Sequence, residues 1–463
     1  MAKARLSASK DMTQGSPYKL ILSFSIPLII GNVLQQLYNM VDSMVVGRFV
    51  GHTALAAVGA AFPVIFMLAS LFMGLGSGAM VMVSQYYGAN QQDNLRRTVD
   101  TVYTSIIVGA IPICILGIVF TNPILDLISI PADARDEAWL YLVILMGGLI
   151  GSLGYNCNAG ILQGLGDSKT PLLFLAIACV INIGLDLFLV LVVPWGVAGV
   201  AIATIIAQTF SWVFGIVYIN RKYPEIHIRP FNFRFDRRIF WQIIRLGIPA
   251  GIQQMLFSLG TILMTRLVNT YGSVYAAGFS GANKLDTFAF FPIQSISIAV
   301  TTFTGQNMGA GKIDRVYGGM KASLVLALAF SVLGLLIIPA GPTLMRLFTD
   351  DPEVITAGMA FINRIMPFYW MLAISFVMNS VLRGAGAPLI PMISSIVGLW
   401  AARLPAAYLL ADWFGRDNMH FCYPIGFVFG LAITIPYFIS GRWKNKAITT
   451  RAGGNLEPEG EPQ

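Results

Sequence analysis

The sequence predicts an all-α integral membrane protein, twelve transmembrane helices in two pseudo-symmetric six-helix lobes. Three observations carry this. Of 463 residues, 56% are hydrophobic and only 11% are charged, at a mean hydropathy of +0.71, whereas soluble domains carry about 25% charged residues. The apolar stretches are long enough to cross a bilayer as helices and too continuous for the strands of a membrane barrel. Finally, motifs of the first half return about 220 residues later in the second.

The first span holds the most informative stretch, IPLIIGNVLQQLYNMVDSMVVGRFVG from Ile26 to Gly51. Pro27 leaves a carbonyl unpaired one turn back and permits a bend there. Asp42 is a carboxylate inside a span, which is costly and marks a bundle interior or wet cavity on an ion or proton path. Gln35, Tyr38 and Asp42 are spaced to share one helical face. The structural alternative is a tolerated kink and a carboxylate held by a packing partner.

By apolar length, the spans fall at 18–47, 54–84, 98–120, 138–162, 171–194, 197–220, 240–270, 275–304, 318–340, 355–383, 388–411 and 421–441. They give an N-terminal tail 1–17, an N-lobe 18–220, a linker 221–239, a C-lobe 240–441 and a disordered tail 442–463. Most Lys and Arg fall in alternate loops, as in RKYPEIHIRPFNFRFDRRI after the sixth span. Acids such as Asp126, Asp133, Asp136, Glu137, Asp350, Asp351 and Glu353 fill the opposite loops. The positive-inside bias then puts both termini in the cytoplasm, in agreement with an even span count. The formal net charge of +8 is explained by these loops and not by nucleic acid. The first apolar run lacks a small-residue cleavage site and reads as a retained helix.

The repeat is legible in three places. "FSIPLIIG" with Pro27 returns as "LGIPAGIQ" with Pro249. "SQYYGANQQDN" from Ser84 returns as "GQNMGAGKIDR" from Gly305, and "LQGLG" from Leu162 returns as "LRGAG" from Leu382. A six-span repeat keeps the same orientation in both copies, which places a binding cleft between halves around an axis along the membrane normal.

Asn182 and Asp186 lie one turn apart in span five. Asp42 stands eight residues before Val50, Asp186 eight before Pro194, and Thr204 eight after Gly196. At ~1.5 Å rise per residue these three sit about 12 Å below one membrane face. Two acids, an amide and a hydroxyl at one depth make an oxygen-rich pocket that suits a proton or a small hard cation such as Na+. The alternative is mutual satisfaction between helices. Asn156 and Asn158 in span four extend the pocket or simply pack. The second half has Gln253, Gln254 and Phe257 but no acid in its first span. Lys284 and Asp286 share no face there, and Arg403 is a candidate partner for Asp286. Phe288, Phe290, Phe291 and Gln294 line a cleft or pack.

Other chemistry is excluded. GQNMGAGK at Gly305–Lys312 has the wrong spacing for a phosphate loop, and Ile313 stands where Ser or Thr is needed. Gly74, Gly76 and Gly78 are packing residues of span two. The cysteines Cys114, Cys157, Cys179 and Cys422 are isolated and form no metal or redox pattern.

With these residues in hand, the chain resembles the bacterial multidrug and toxic compound extrusion transporters over its whole length apart from the tails. The resemblance rests on Pro27 with Asp42, GHTALAAVG at Gly51 to Gly59, "SQYYGAN", "LQGLGDSKTP" and the Asn182/Asp186/Thr204 set. That set is similar to the DinF-like branch. The acids that other branches place in the second half have no match here. The resemblance implies a non-enzymatic, monomeric antiporter of the bacterial inner membrane, without a cofactor. It would export organic, cationic amphiphilic compounds in exchange for H+ or Na+. Asp42, Asp186, Asn182 and Thr204 would bind the coupling cation, Gln35, Tyr38, Asn156 and Asn158 would line the pocket, and Pro27 would be the hinge. A lipid-linked saccharide flippase of the same superfamily, expected to have a more cationic cavity, and a multi-span membrane enzyme are the alternatives.

Overall fold

The computed structural model describes residues 11–127, 134–224, 226–230 and 232–449. The basic segment 1–10, the tail 450–463 and Asp133 lie outside the described residues.

Among the described residues twelve long helices form, which we number α1–α12. They are α1 (Pro17–Val50), α2 (His52–Gly88), α3 (Gln92–Val119), α4 (Arg135–Gly147 then Leu149–Gly164), α5 (Lys169–Val192), α6 (Gly196–Lys222), α7 (Arg237–Asn269), α8 (Ser273–Gly309), α9 (Ile313–Gly334), α10 (Pro352–Gly384), α11 (Leu389–Phe414) and α12 (Arg416–Ile439). Ten of these are single helices long and apolar enough to cross a membrane. The two parts of α4, bent by 50°, together make another span. The 37-residue α2 completes the set. No strand occurs among the described residues. In a bilayer core only fully internal hydrogen bonding is tolerated, and helices supply it.

Helix starts follow local chemistry. Pro17 opens α1, where its missing N–H costs nothing and its φ is already helical. The Asp236 carboxylate accepts from the backbone N–H of Arg238 and Ile239 and caps α7. Asp167 does the same for α5 through Lys169 and Thr170. It also accepts from the Lys222 ammonium at 2.8 Å and the Tyr223 hydroxyl at 3.0 Å. Burial works to raise the Asp167 carboxyl. The hydrogen bonds from Lys222 and Thr170 and the Lys222 charge outweigh it and hold the group below the usual carboxylate range. This cluster pins the start of α5 to the end of α6.

The linker after α6 is anchored as well. Asn220 bonds both ways with Ile228, and Tyr223, Ile226 and Ile228 are buried in the first-half core. Both tails are partly ordered, which corrects the expectation of disorder from residue 442 onward. Arg442–Asn445 forms a 3-10 turn with Trp443 fully buried, because a tryptophan at a lobe surface gains more from packing than from solvent.

The cores explain how the halves interlock. Ile21 and Phe24, from the first turns of α1, are buried in the core of the second half, while Val45 and Val46 at its other end belong to the first half. Helix α7 mirrors this. Ile239, Ile243 and Leu246 are buried in the first-half core, and Met264, Leu267 and Val268 in the second. The two helices thus cross between lobes, with Pro27 and Pro249 near each changeover and buried. Helix α1 is continuous through Pro27.

Candidate functional site

The acid pair lies in the first half. A π-helical turn, Val46–Val50, follows Asp42, and another, Phe188–Val192, follows Asp186. Such turns widen a helix locally and recur at functional sites. The Asp42 and Asp186 carboxyls lie within hydrogen-bonding reach of each other. Asp186 and Asn182 are wholly buried. Asn182 Nδ2 donates to Thr204 Oγ1 at 3.4 Å, and the Tyr38 hydroxyl reaches the same oxygen at 3.4 Å. Asp42 Oδ1, both carboxylate oxygens of Asp186 and Asn182 Oδ1 are buried without a hydrogen-bond donor among the described residues. Oxygens left so are expensive in a low-dielectric interior unless a proton or cation joins them. The donor set, all oxygen and without nitrogen or sulfur, fits H+ or Na+.

Tyr141 of α4 was not foreseen. It is buried, and its hydroxyl stands within electrostatic reach of Asp42, Tyr38 and Asp186. It lies six residues into α4, so the depth count that joined the acids would have found it. Gln35 donates to Asn39 at 3.3 Å. With Tyr38, Gln208 and Ser211 it lines a small cavity of about 30 Å³ beside the acids, roughly the share of one water.

Two predicted pocket residues go elsewhere. Asn158 is fully buried, accepts from Tyr103 and donates to the Trp212 carbonyl at 3.0 Å. It ties α3, α4 and α6 together, because a buried amide in an apolar bundle must find both kinds of partner. Asn156 lines a different and larger cavity.

That cavity, of about 460 Å³, lies between the second half and helices α2 and α4 of the first. Its walls include Phe257, Phe290, Phe376 and Leu372 among amides and hydroxyls, with Arg383 and Arg403 as the charged lining groups. Gln253, Gln254 and Gln294 line it too, whereas Phe288 is exposed elsewhere. Arg403 closes the π-helical turn Val397–Arg403. It does not pair directly with Asp286, contrary to expectation. Its guanidinium lies 3.3 Å from the centroid of the Tyr423 ring, and Asp286 takes the Tyr369 hydroxyl. Stacking on an aromatic face satisfies a planar guanidinium where a carboxylate on another helix is already bonded. Lys284 is exposed and lies over Phe348.

The repeated motifs build a seam on the side that carries the termini. Gln85 Nε2 donates to the Gly384 carbonyl at 2.9 Å, and its repeat mate Gln306 donates to the Gly164 carbonyl at 3.1 Å. Each glutamine reaches the glycine of the other half. The tails complete the figure: the Ile448 N–H donates to Gln85 Oε1 and the Met12 N–H to Gln306 Oε1. Asn32–Ser295, at 3.2 Å, is a further bond across the halves. Gly74 and Gly78 let α2 touch the backbone of α7. At the seam the approach is closer still. A Cβ on Gly88 would stand 1.9 Å from the Gln306 carbonyl oxygen, and one on Gly309 1.9 Å from that of Gln85. Backbone cannot yield that far, so Gly88→Ala with Gly309→Ala is expected to part the seam while each lobe still folds. Spin labels at the exposed Arg97 and Lys321, in a chain cleared of its four native cysteines, should move apart. An unchanged distance distribution would show that the seam tolerates the methyls.

The MatE family model matches this chain twice, over residues 27–188 and 249–409. The chain is 29% identical to the probable multidrug resistance protein YpnP of Bacillus subtilis over 95% of this chain and 99% of that one. It is 30% identical to the probable multidrug resistance protein YoeA of the same species, over 95% and 97%. A structure described as the outward-facing conformation of a multidrug resistance MATE family transporter of the MOP superfamily superposes with a TM-score of 0.85 at 22% identity, covering 95% of this chain and 99% of the other. Matched in both halves and along nearly its full length, the chain belongs to the MATE family of membrane transporters.

Proposed function

We propose that this chain is a secondary antiporter. H+ or Na+ binds at Asp42, Asp186, Asn182 and Thr204 in the first half, and an organic solute leaves through the 460 Å³ cavity. The observation that carries the reading is the pair of adjacent carboxyls whose buried oxygens have no donor and no cationic neighbour among the described residues. A purely structural pair would have found one. Tyr38 and Tyr141 complete the wall of the ion site, Gln35 lies beside it, and Asn156 belongs to the solute cavity.

The positive-inside bias of the basic loops supports a cytoplasmic location for both termini. The glutamine seam then closes the cytoplasmic side, and the chain stands in its outward-facing state. Ion and solute favour different states of one bundle, which is the whole basis of coupling. Reconstituted vesicles loaded with dye test this. A proton gradient or a sodium gradient, each imposed alone, is expected to drive export with one ion and not the other. Export that ignores both gradients would remove the antiport reading.

A further inference from the structure

The two halves have opposite polarity. Acids sit in the first, at Asp42 and Asp186, and neither lines the large cavity. Among the described residues, the cavity lining contains Arg383 and Arg403 and no Asp or Glu. The repeat sharpens the contrast, since Arg383 in "LRGAG" occupies the place of Gln163 in "LQGLG". Both side chains line the cavity. A positive charge has therefore been placed at the second-half copy of a position that is neutral in the first.

Arg383 is also without a partner. Its guanidinium makes no hydrogen bond or ion pair with any described residue. Arg403 is stacked on Tyr423 and senses the charge of Asp286, but its Nε is buried and unpaired. Arg383 ends α10 on the seam side. Arg403 lies fourteen residues beyond Leu389, about 20 Å further across the bundle by helical rise. One cation therefore marks the floor and one the upper wall. A half-buried guanidinium that faces a cavity with its donors free is a site for a planar or tetrahedral oxyanion. Amides from Gln163, Gln253 and Asn379 and the aromatic faces of Phe257 and Phe290 suit a polar, ring-bearing body. An organic cation would meet two like charges and no carboxylate.

We propose that the large cavity binds an organic anion, its carboxylate, phosphate or sulfonate held by Arg383. The site is the solute site of the antiport reading, and the proposal rests on that reading for export though not for binding. It replaces the cationic amphiphile implied by family resemblance. An oxyanion on a soluble molecule and one on a lipid headgroup present the same chemistry to Arg383.

The test is equilibrium binding to the full chain in detergent. The probes are fluorescein, a dianionic ring dye, rhodamine 6G, its cationic relative, and short-chain phosphatidic acid. The wild type should prefer fluorescein to rhodamine. Arg383→Gln, which installs the residue of the first half, should weaken fluorescein about ten- to a hundredfold, with Arg383→Lys in between and rhodamine no weaker. Gln163→Glu adds a carboxylate to the cavity wall and should also weaken fluorescein, which keeps the test open if Arg383→Gln does not fold. Phosphatidic acid bound in place of fluorescein, with the same loss in Arg383→Gln, supports the anion site and assigns it to a lipid headgroup. Tighter binding of rhodamine by the wild type, or fluorescein affinity unmoved in a folded Arg383→Gln and in Gln163→Glu, would overturn it. Export is read separately in vesicles. An anion leaving against an entering cation moves net charge, so an inside-negative potential should accelerate it. Anion binding without any gradient-driven export leaves the cavity assignment standing and defeats only the antiport reading.

Discussion

Asp42→Asn is expected to insert, fold and melt close to the wild type, and to export at the rate of protein-free vesicles. An amide is cheaper in the membrane than a carboxylate and fills nearly the same volume. The exchange leaves the Tyr38–Thr204 and Asn182–Thr204 contacts in place. What it removes is one of two adjacent carboxyls, and with it the charge that draws a cation to Asp186 and Asn182. Asp186→Asn should behave alike, because the pair acts as a unit. Calorimetric binding of the coupling ion and dye efflux on the same preparations decide the matter. Wild-type efflux in Asp42→Asn would take this residue out of the coupling role.

The span count and the acid pair were legible because both follow from one-dimensional rules. Apolar length gives spans, and equal depth from a span end brings Asp42, Asp186 and Thr204 to one level. Azimuth is not one-dimensional. Asn156 and Asn158 are two residues apart, hence on different faces of α4, and only packing tells which face looks where. One ended in the large cavity and the other between α3 and α6. Tyr141 was readable by depth but carries no charge to draw notice. The glutamine seam was visible as repeated text and mute as to role, since Gln85 bonds a glycine 299 residues away. Arg383 was hidden among the basic residues that set topology. Its entry into a cavity depends on how α10 is turned.

Pro27→Ala and Pro249→Ala are expected to slow export while leaving ion binding intact. The starting point is that α1 and α7 each belong to both lobes. Ile21 and Phe24 are held in the second-half core and Val45 and Val46 in the first, with the reverse for α7. If the lobes rock to open the seam, each of these helices must flex between its two anchors. Pro27 and Pro249 lie near those changeovers, and each lacks the backbone bond that would resist flexing. Alanine restores that bond, worth about 1 kcal/mol net, which corresponds to roughly fivefold in rate if the bend precedes the slow step. The sites lie on separate, repeat-related helices, so the double variant should compound the two losses. The ion pocket contains neither proline, and its oxygens come from the far end of α1 and from α5 and α6. Calorimetric ion binding should thus be wild-type in all three variants. Sequence reading gave the hinge to Pro27 alone, on the helix that carries Asp42. The shared anchoring makes Pro249, on a helix with no acid, an equal partner. Slowed export in Pro27→Ala with wild-type export in Pro249→Ala would refute the symmetric hinge and return the bend to the helix that carries the acid.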